Sequence, residues 1–183
     1  MKRLAASILT LVCALPVSAQ EFAKEKLDKS PRHHDWVDVK NGDRKVKCFV
    51  AFPEVKNKAT AVVVIHENKG LTDWVRLLAD ELAEAGYIAI APDMLSGMGP
   101  KGGNSDSFKS QGDATKAIGE LSEKGDQVNG DLSAAADYVL KLPACNGKLA
   151  VCGFCWGGGK TWRFASQRSD LKAAFVFYGP PLD

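Results

Sequence analysis

The sequence predicts an α/β protein in which a mainly parallel β-sheet carries helices on both sides. Unbroken apolar runs at residues 61–65 and 87–91 are typical of strands buried on both faces. The segment between them has apolar residues at helical spacing, so the three elements predict a right-handed βαβ unit. The composition, 45% hydrophobic and 25% charged, is that of a globular chain. We find no internal repeat, which favours one domain over residues 20–183.

Residues 1–19 have the pattern of a secretory signal peptide. Lys2 and Arg3 precede an apolar run at 4–15, and the small-residue motif Val-Ser-Ala follows at 17–19. Cleavage before Gln20 predicts an exported protein, periplasmic or secreted. The run is too short to span a membrane, and no later run reaches about 20 apolar residues, so no membrane span is expected.

Charge argues against nucleic acid as a partner. Removing the predicted leader takes away two basic residues and leaves 22 basic and 22 acidic residues. A chain with no net charge has no general attraction for a polyanion. The partner we expect is a small molecule.

The first predicted strands form a hairpin. Residues 36–40 and 45–52 flank Asn41-Gly42, a dipeptide typical of tight hairpin turns. The preceding charged segment, which contains His33-His34-Asp35, is predicted to be a mobile lead-in rather than a metal site.

The remaining elements alternate between strands and helices. After the strand at 61–65, a helix is expected behind Thr72 and ends at Gly86, and the next strand ends at Pro92. Glycine, serine and lysine at 94–112 predict a long surface loop. The other predicted elements are a helix around 128–139, a buried strand at 149–152, a helix at about 157–167 and a fourth buried strand at 173–178.

The most informative segment is Gly-Phe-Cys-Trp-Gly-Gly at residues 153–158, between a predicted strand and a predicted helix. A side chain at the tip of such a sharp turn projects above the sheet, and flanking glycines let strand and helix approach closely. This is the pattern of a nucleophile elbow, with Cys155 in the place where serine is commoner. Unpaired N–H groups at the helix N-terminus favour a thiolate and an oxyanion.

With this elbow, the sequence resembles the dienelactone hydrolase family of α/β-hydrolases. Ile-His-Glu-Asn at 65–68, Gly-Leu at 70–71 and Ala-Pro-Asp at 91–93 look like two further landmarks of that family, in the right order. The resemblance extends from about residue 62 to 180. It implies an α/β-hydrolase fold and hydrolysis of small ester or lactone substrates without a metal or organic cofactor.

The same resemblance assigns roles to individual residues. Cys155 matches the family's nucleophile, and Glu67 matches a glutamate that contacts it. The backbone N–H groups of Asn68 and Trp156 match the two donors of the oxyanion hole. A carboxylate beside a thiol can accept its proton or hold it inactive, which is compatible with attack on a carbonyl.

Two departures from the family pattern follow from the sequence. The family carries an acid and then a histidine after the nucleophile, whereas the histidines here, His33, His34 and His66, all precede it. Because about four parallel strands and one hairpin make a small sheet for this fold, we expect that the sequence stops early and that the last strands are missing. The loop at 94–97 reads Met-Leu-Ser-Gly and lacks the arginine of dienelactone-specific members, which argues against the dienelactone as substrate.

Alternatives remain open for the same residues. Cys152 and Cys155 also form a C-x-x-C pair, which predicts a thiol-disulfide redox protein. Cys155 could be a buried structural thiol, and the chain could be a non-catalytic binding module or fragment. His66 could replace the missing base, but it neighbours Glu67 on an extended segment, so the two side chains are expected to point to opposite faces.

Overall fold

The computed structural model describes residues 19–181, which form six strands and five helices of at least ten residues. The predicted signal peptide, apart from Ala19, lies outside these residues. In chain order the elements are α1 (Ala19–Asp28), β1 (His34–Asn41), β2 (Arg44–Ala51), β3 (Ala59–Ile65), α2 (Asp73–Glu84), β4 (Ile88–Pro92), α3 (Gln111–Ser122), α4 (Gly125–Leu140), β5 (Cys145–Phe154), α5 (Trp156–Gln167) and β6 (Leu171–Phe177). No helix in the described part of the chain is long and apolar enough to cross a membrane.

The strands make one mixed sheet in the order β1-β2-β4-β3-β5-β6. Strands β4, β3, β5 and β6 are parallel, and β2 pairs with both β1 and β4 in antiparallel fashion. The predicted hairpin is confirmed, but Asn41 pairs with Arg44, so the two-residue turn is Gly42-Asp43. Gly42 has a φ of 58°, a conformation that glycine adopts without strain.

Helices cover both faces of the sheet, as the apolar strands predict. On one face Val63, Ile65 and Val151 pack against α3, α4 and α5. On the other face Val62 and Val64 pack against α2, which in turn supports α1. Alternate residues of β3 thus supply two separate cores, which explains why this strand is apolar from Ala61 to Ile65.

The prediction that β6 is buried is wrong for the described residues. Phe175 and Phe177 are 55% and 44% exposed and, with Leu78 and Leu82 of α2, line an apolar groove on one face. Among residues 19–181 the strand pairs only with β5, and no other described element covers its outer edge or part of this face. Apolar composition predicted the strand correctly but did not predict its environment.

The segment predicted as a surface loop starts in the interior. Met94 and Leu95 are completely buried. The buried Asp93 carboxylate accepts hydrogen bonds from the N–H of Leu95 at 3.0 Å and from the N–H and hydroxyl of Ser105 at 2.9 and 2.6 Å. Ser105 Oγ in turn accepts the Leu71 N–H at 2.8 Å, so the loop after β4 is tied to the loop after β3.

The lead-in to β1 is anchored rather than mobile, which corrects a second expectation. His34 opens β1, and its Nε2 lies 2.7 Å from Oδ1 of Asp80, a buried residue of α2. Asp80 also accepts hydrogen bonds from Arg32 and from the Ser30 hydroxyl, at 2.7 Å for Ser30. Burial opposes ionisation of Asp80, but its three partners outweigh that cost and lower its pKa to about 2.

Asp80 is therefore expected to stabilise the fold in a pH-dependent way. Because its pKa is lower in the folded than in the unfolded chain, the stabilisation is fully present above about pH 4 and is lost as the pH falls towards 2. Asp80→Asn should destabilise the protein by about 2–3 kcal/mol at neutral pH, since Arg32 loses its closest charge partner and keeps only the exposed Glu84, at 3.7 Å. It should also flatten the pH dependence of stability below pH 4.

Urea unfolding between pH 3 and 7 measures both effects. Asp126→Asn is the matched control, because the Asp126 carboxylate is fully exposed in its ion pair with Arg163 and should contribute little to stability. Equal stability losses in the two variants would contradict the anchoring role of Asp80.

Candidate active site

The predicted site residues lie at one edge of the sheet, where the parallel strands end. Glu67 and Asn68 follow β3, and Cys155 stands between β5 and α5. Strands β3 and β5 are direct neighbours, with Ile65 paired to Gly153. Carboxyl ends of neighbouring parallel strands are the usual place for a site in an open α/β sheet.

Cys155 occupies a strained turn. Its φ and ψ are 53° and −115°, a conformation that L residues rarely adopt. The glycines on either side make the turn possible: a Cβ on Gly153 would overlap the Gly157 carbonyl oxygen, and a Cβ on Gly157 would lie 2.5 Å from the His66 carbonyl oxygen. Close packing of the strand against the helix holds Cys155 in this strained conformation. The sharp turn directs the Cys155 side chain out of the sheet.

Backbone hydrogen bonds fix the orientation of the elbow. The Cys155 N–H donates to the Phe177 carbonyl oxygen at 3.0 Å, and the Cys155 carbonyl accepts the Gly159 N–H at 3.2 Å. Helix α5 begins at Trp156, whose N–H has no partner four residues earlier within the helix. The thiol is partly exposed, at the positive end of the α5 dipole.

The Trp156 side chain is held by two contacts. Its Nε1–H donates to the Ser122 hydroxyl at 2.8 Å, and its ring stacks on that of His66, with centroids 5.6 Å apart. These contacts fix the first residue of α5, whose backbone N–H the sequence proposes as an oxyanion donor. Asn68, the second proposed donor, lies in the turn that follows Glu67.

His66 is a structural histidine in this arrangement. It is completely buried, its Nε2 accepts the Met94 N–H at 3.1 Å, and its Nδ1 lies 2.7 Å from the Glu67 carbonyl oxygen. The first contact makes Nε2 the acceptor, so Nδ1 carries the proton and donates it. Burial lowers the pKa of His66, which keeps the ring neutral. Both nitrogens are occupied, which argues against His66 as a substitute base.

Sequence reasoning missed Tyr178, which the structure brings to Glu67. The Tyr178 hydroxyl donates a hydrogen bond to Glu67 Oε1 at 2.6 Å. This bond, partial burial and the charges of Glu67 and Cys155 raise the pKa of Tyr178 to about 12. The phenol therefore stays protonated at neutral pH and lies close to both proposed catalytic groups. Tyr178 directly follows a strand of the same parallel sheet, and this position could have identified it as a candidate site residue from the sequence.

The other cysteines differ from Cys155 in environment. Cys48, Cys145 and Cys152 are buried free thiols, and Cys155 is also unpaired. Burial raises the pKa of Cys152 to about 12, because its side chain packs between the sheet and α2. A thiol that resists ionisation is a poor partner for redox exchange. Within residues 19–181 no group of three acidic, histidine or cysteine side chains could hold a metal ion.

The family model of the dienelactone hydrolase family matches residues 46–183. The chain belongs to the dienelactone hydrolase family. The match covers most of the chain and includes the elbow, the segment after β3 and β6. It confirms the resemblance that the sequence motifs indicated, and the mixed sheet with helices on both faces is the α/β-hydrolase architecture expected for the family.

Individual relatives agree with this assignment. A Yersinia pestis protein with the provisional name carboxymethylenebutenolidase is 32% identical over 120 residues, which are 64% of this chain and 42% of the relative. An Aquifex aeolicus protein of the same provisional name is 33% identical over 151 residues, covering 79% of this chain and 61% of the relative. The chain thus spans about half the length of the curated relatives that it matches.

Solved structures show the same fold. A crystal structure from Klebsiella pneumoniae, provisionally described as a dienelactone hydrolase, superposes with a TM-score of 0.69 at 27% identity. The superposition covers 83% of this chain and 62% of that one.

Proposed function

We propose that this protein cleaves small ester or lactone substrates through a covalent thioester on Cys155. The observation that carries the proposal is the strained elbow, which presents one partly exposed thiol at the N-terminus of α5. Strain of about 1–3 kcal/mol is retained where it serves a function. Family membership supports a hydrolase, and the elbow supports acyl transfer as its chemistry.

Glu67 is the proposed proton acceptor. The thiol proton moves from Cys155 Sγ to the Glu67 carboxylate, and the thiolate attacks the substrate carbonyl carbon. A C–S bond forms while the carbonyl π electrons move to oxygen. When the tetrahedral intermediate collapses, the C–O bond to the alcohol breaks and the alkoxide takes the proton from Glu67. Water then hydrolyses the thioester, which releases the acid and restores the thiol.

The negative charge on the carbonyl oxygen is the main barrier to this reaction. The backbone N–H of Trp156 opens α5 and has no intrahelical partner, and the N–H of Asn68 follows the end of the neighbouring strand. We propose that both donate to the oxyanion. A well-aligned donor stabilises such an intermediate by about 3 kcal/mol.

Export and the nature of the partner are part of the same proposal. We propose, from the leader pattern at residues 1–19, that the mature protein is exported, either periplasmic or secreted. Small esters and lactones remain the proposed substrate class, and the loop at 94–97 offers no arginine for a substrate carboxylate. A neutral ester therefore suits this site better than an anionic dienelactone.

A single-turnover experiment tests the proposal directly. Mixing the protein with p-nitrophenyl acetate should release one equivalent of nitrophenolate in a burst, because that leaving group needs no proton. Peptide mass spectrometry should find the acetyl group on Cys155. Treatment with iodoacetamide beforehand should label Cys155 first, since the other described cysteines are buried, and should remove the burst. An undiminished burst after complete labelling of Cys155 would overturn the proposal.

A further inference from the structure

Helix α5 begins without the supports that a helix N-terminus usually has. Its N-cap residue, Cys155, makes no side-chain capping hydrogen bond, and the three residues after Trp156 are glycines. Glycine is the most flexible residue that a helix can contain, so this turn has little stiffness of its own. The close approach of β3 excludes a Cβ at Gly157, and the Phe177 carbonyl oxygen excludes one at Gly158. Trp156 is therefore the only residue of the first turn, 156–159, that has a side chain to hold the turn in place.

The Trp156 side chain is held by two other elements. Its ring stacks on that of His66, directly after β3, with an angle of 18° between the two planes. Its Nε1–H donates to the hydroxyl of Ser122, the last residue of α3, at 2.8 Å. Stacking fixes the plane of the indole but permits it to slide within that plane. The hydrogen bond is directional and therefore fixes the position of the indole within the plane.

Ser122 presents an acceptor of fixed orientation. Its Oγ donates to the Ile118 carbonyl oxygen, one turn earlier in α3, at 2.8 Å. A hydroxyl has one proton, so this bond uses it and leaves the lone pairs to accept the indole N–H, which is a donor only. Ser122 lies 34 positions before Trp156, so the contact connects α3 to the elbow.

The position of the indole affects the direction of the Trp156 backbone N–H. The planar peptide group contains both this N–H and the Cys155 carbonyl, so the two turn together when the ψ of Cys155 changes. That ψ is −115° in a strained conformation, and relaxation of the strain would rotate the peptide group. The Gly159 N–H holds the carbonyl side at 3.2 Å, but Gly159 belongs to the flexible glycine run. The Trp156 side chain holds the other side.

We propose that Ser122 is a positioning residue that fixes the Trp156 indole and, through it, the direction of the Trp156 backbone N–H. The inference rests on the proposed role of this N–H as an oxyanion donor. A donor stabilises the tetrahedral intermediate only while it points at the developing charge, so a mobile N–H contributes less. Ser122 therefore acts on acylation of the thiol and not on the thiol itself.

The first test compares acylation with alkylation of the same thiol. Ser122→Ala removes the acceptor, and the nitrophenolate burst should become about three- to tenfold slower, as expected for the loss of one neutral hydrogen bond. Alkylation of Cys155 by iodoacetamide should keep its wild-type rate, because this displacement at a saturated carbon forms no oxyanion. Ser122→Thr should restore the burst, since a threonine hydroxyl can bond back one turn, as Thr115 does in the same helix.

Two further variants isolate the hydrogen bond. Trp156→Phe keeps a stacked ring without the indole N–H, so it should slow the burst to a similar extent, and adding Ser122→Ala should have no further effect. Ser166→Ala is the matched control: it removes an exposed hydroxyl that bonds to the Arg163 carbonyl of α5, and both rates should stay unchanged. An unchanged burst in Ser122→Ala, or an equal fall of the burst and alkylation rates, would contradict the inference.

The order of the Trp156 backbone N–H can be measured without any ester. Nitrogen-15 relaxation should give an order parameter of about 0.85 in the wild type and a value falling towards about 0.6 in Ser122→Ala. An unchanged order parameter would rule out the positioning role even if the burst became slower. A wild-type protein without a burst would contradict the hydrolase proposal, whereas the order parameters would still decide the role of Ser122.

Discussion

Cys155→Ala is expected to abolish the nitrophenolate burst and to reduce ester turnover at least about 10³-fold, the scale of loss when an enzyme loses its nucleophile. The physical reason is that no other described thiol is positioned to replace it. Cys152, three residues away, lies within the core between the sheet and α2, and burial raises its pKa to about 12. The measurement is pre-steady-state release of nitrophenolate, with thermal unfolding to verify that the fold is intact.

Cys152→Ala is the matched control, and it also distinguishes the hydrolase from the redox alternative. A hydrolase that uses Cys155 alone keeps its burst in Cys152→Ala, apart from a modest loss of stability from the smaller side chain. A thiol-disulfide protein loses disulfide reduction activity in either variant and shows no acylation in the wild type. Retention of full esterase activity in Cys155→Ala would contradict the elbow as the source of the chemistry.

The elbow could be predicted from sequence because its requirements are local. Gly153 and Gly157 stand where strand and helix approach too closely for a Cβ, and Cys155 lies between them at the turn. The pattern lies within a few consecutive residues, so it can be recognised without knowledge of the rest of the fold. The βαβ periodicity is local for the same reason, which is why strands β3 to β5 and helices α2, α4 and α5 were predicted.

Features that depend on distant partners could not be predicted in this way. Tyr178 becomes part of the site because it donates to a carboxylate 111 positions earlier in the chain. The lead-in before β1 is ordered by Asp80, 46 positions beyond His34. The buried start of the loop after β4 depends on Ser105 and Asp93. Composition predicted a mobile lead-in, an exposed loop and a buried strand at 173–178, whereas side chains from other elements determine the actual environment of these segments.

Gly157→Ala is expected to be among the most damaging single-methyl substitutions in the chain. The new Cβ would lie 2.5 Å from the His66 carbonyl oxygen and closer still to that of Ile65. Both clashes are with backbone at the end of β3, which cannot turn away as a side chain can. We expect a loss of about 3 kcal/mol or more and a fall in melting temperature of about 6–12 °C.

Gly159→Ala provides the control, because it adds the same methyl group to the same helix. At Gly159 the nearest atoms to a new Cβ belong to Pro180, at 3.5 Å, an ordinary van der Waals distance. Alanine should therefore be neutral there or stabilising by about 0.5–1 kcal/mol, as expected for its helix propensity. Thermal and urea unfolding of the two variants give the comparison, and similar stabilities would show that β3 and α5 are not in contact at the elbow.

The consequence of Gly157→Ala for the site goes beyond stability. To relieve the clash, the end of β3 and the start of α5 must separate, and Glu67 and Asn68 lie directly beyond that end of β3. Separation moves the proposed proton acceptor and one oxyanion donor away from Cys155, while the thiol itself remains. Folded Gly157→Ala should therefore lose the nitrophenolate burst yet still be alkylated by iodoacetamide at Cys155. A burst of wild-type rate in the folded variant would mean that acylation does not depend on the close contact of these two elements.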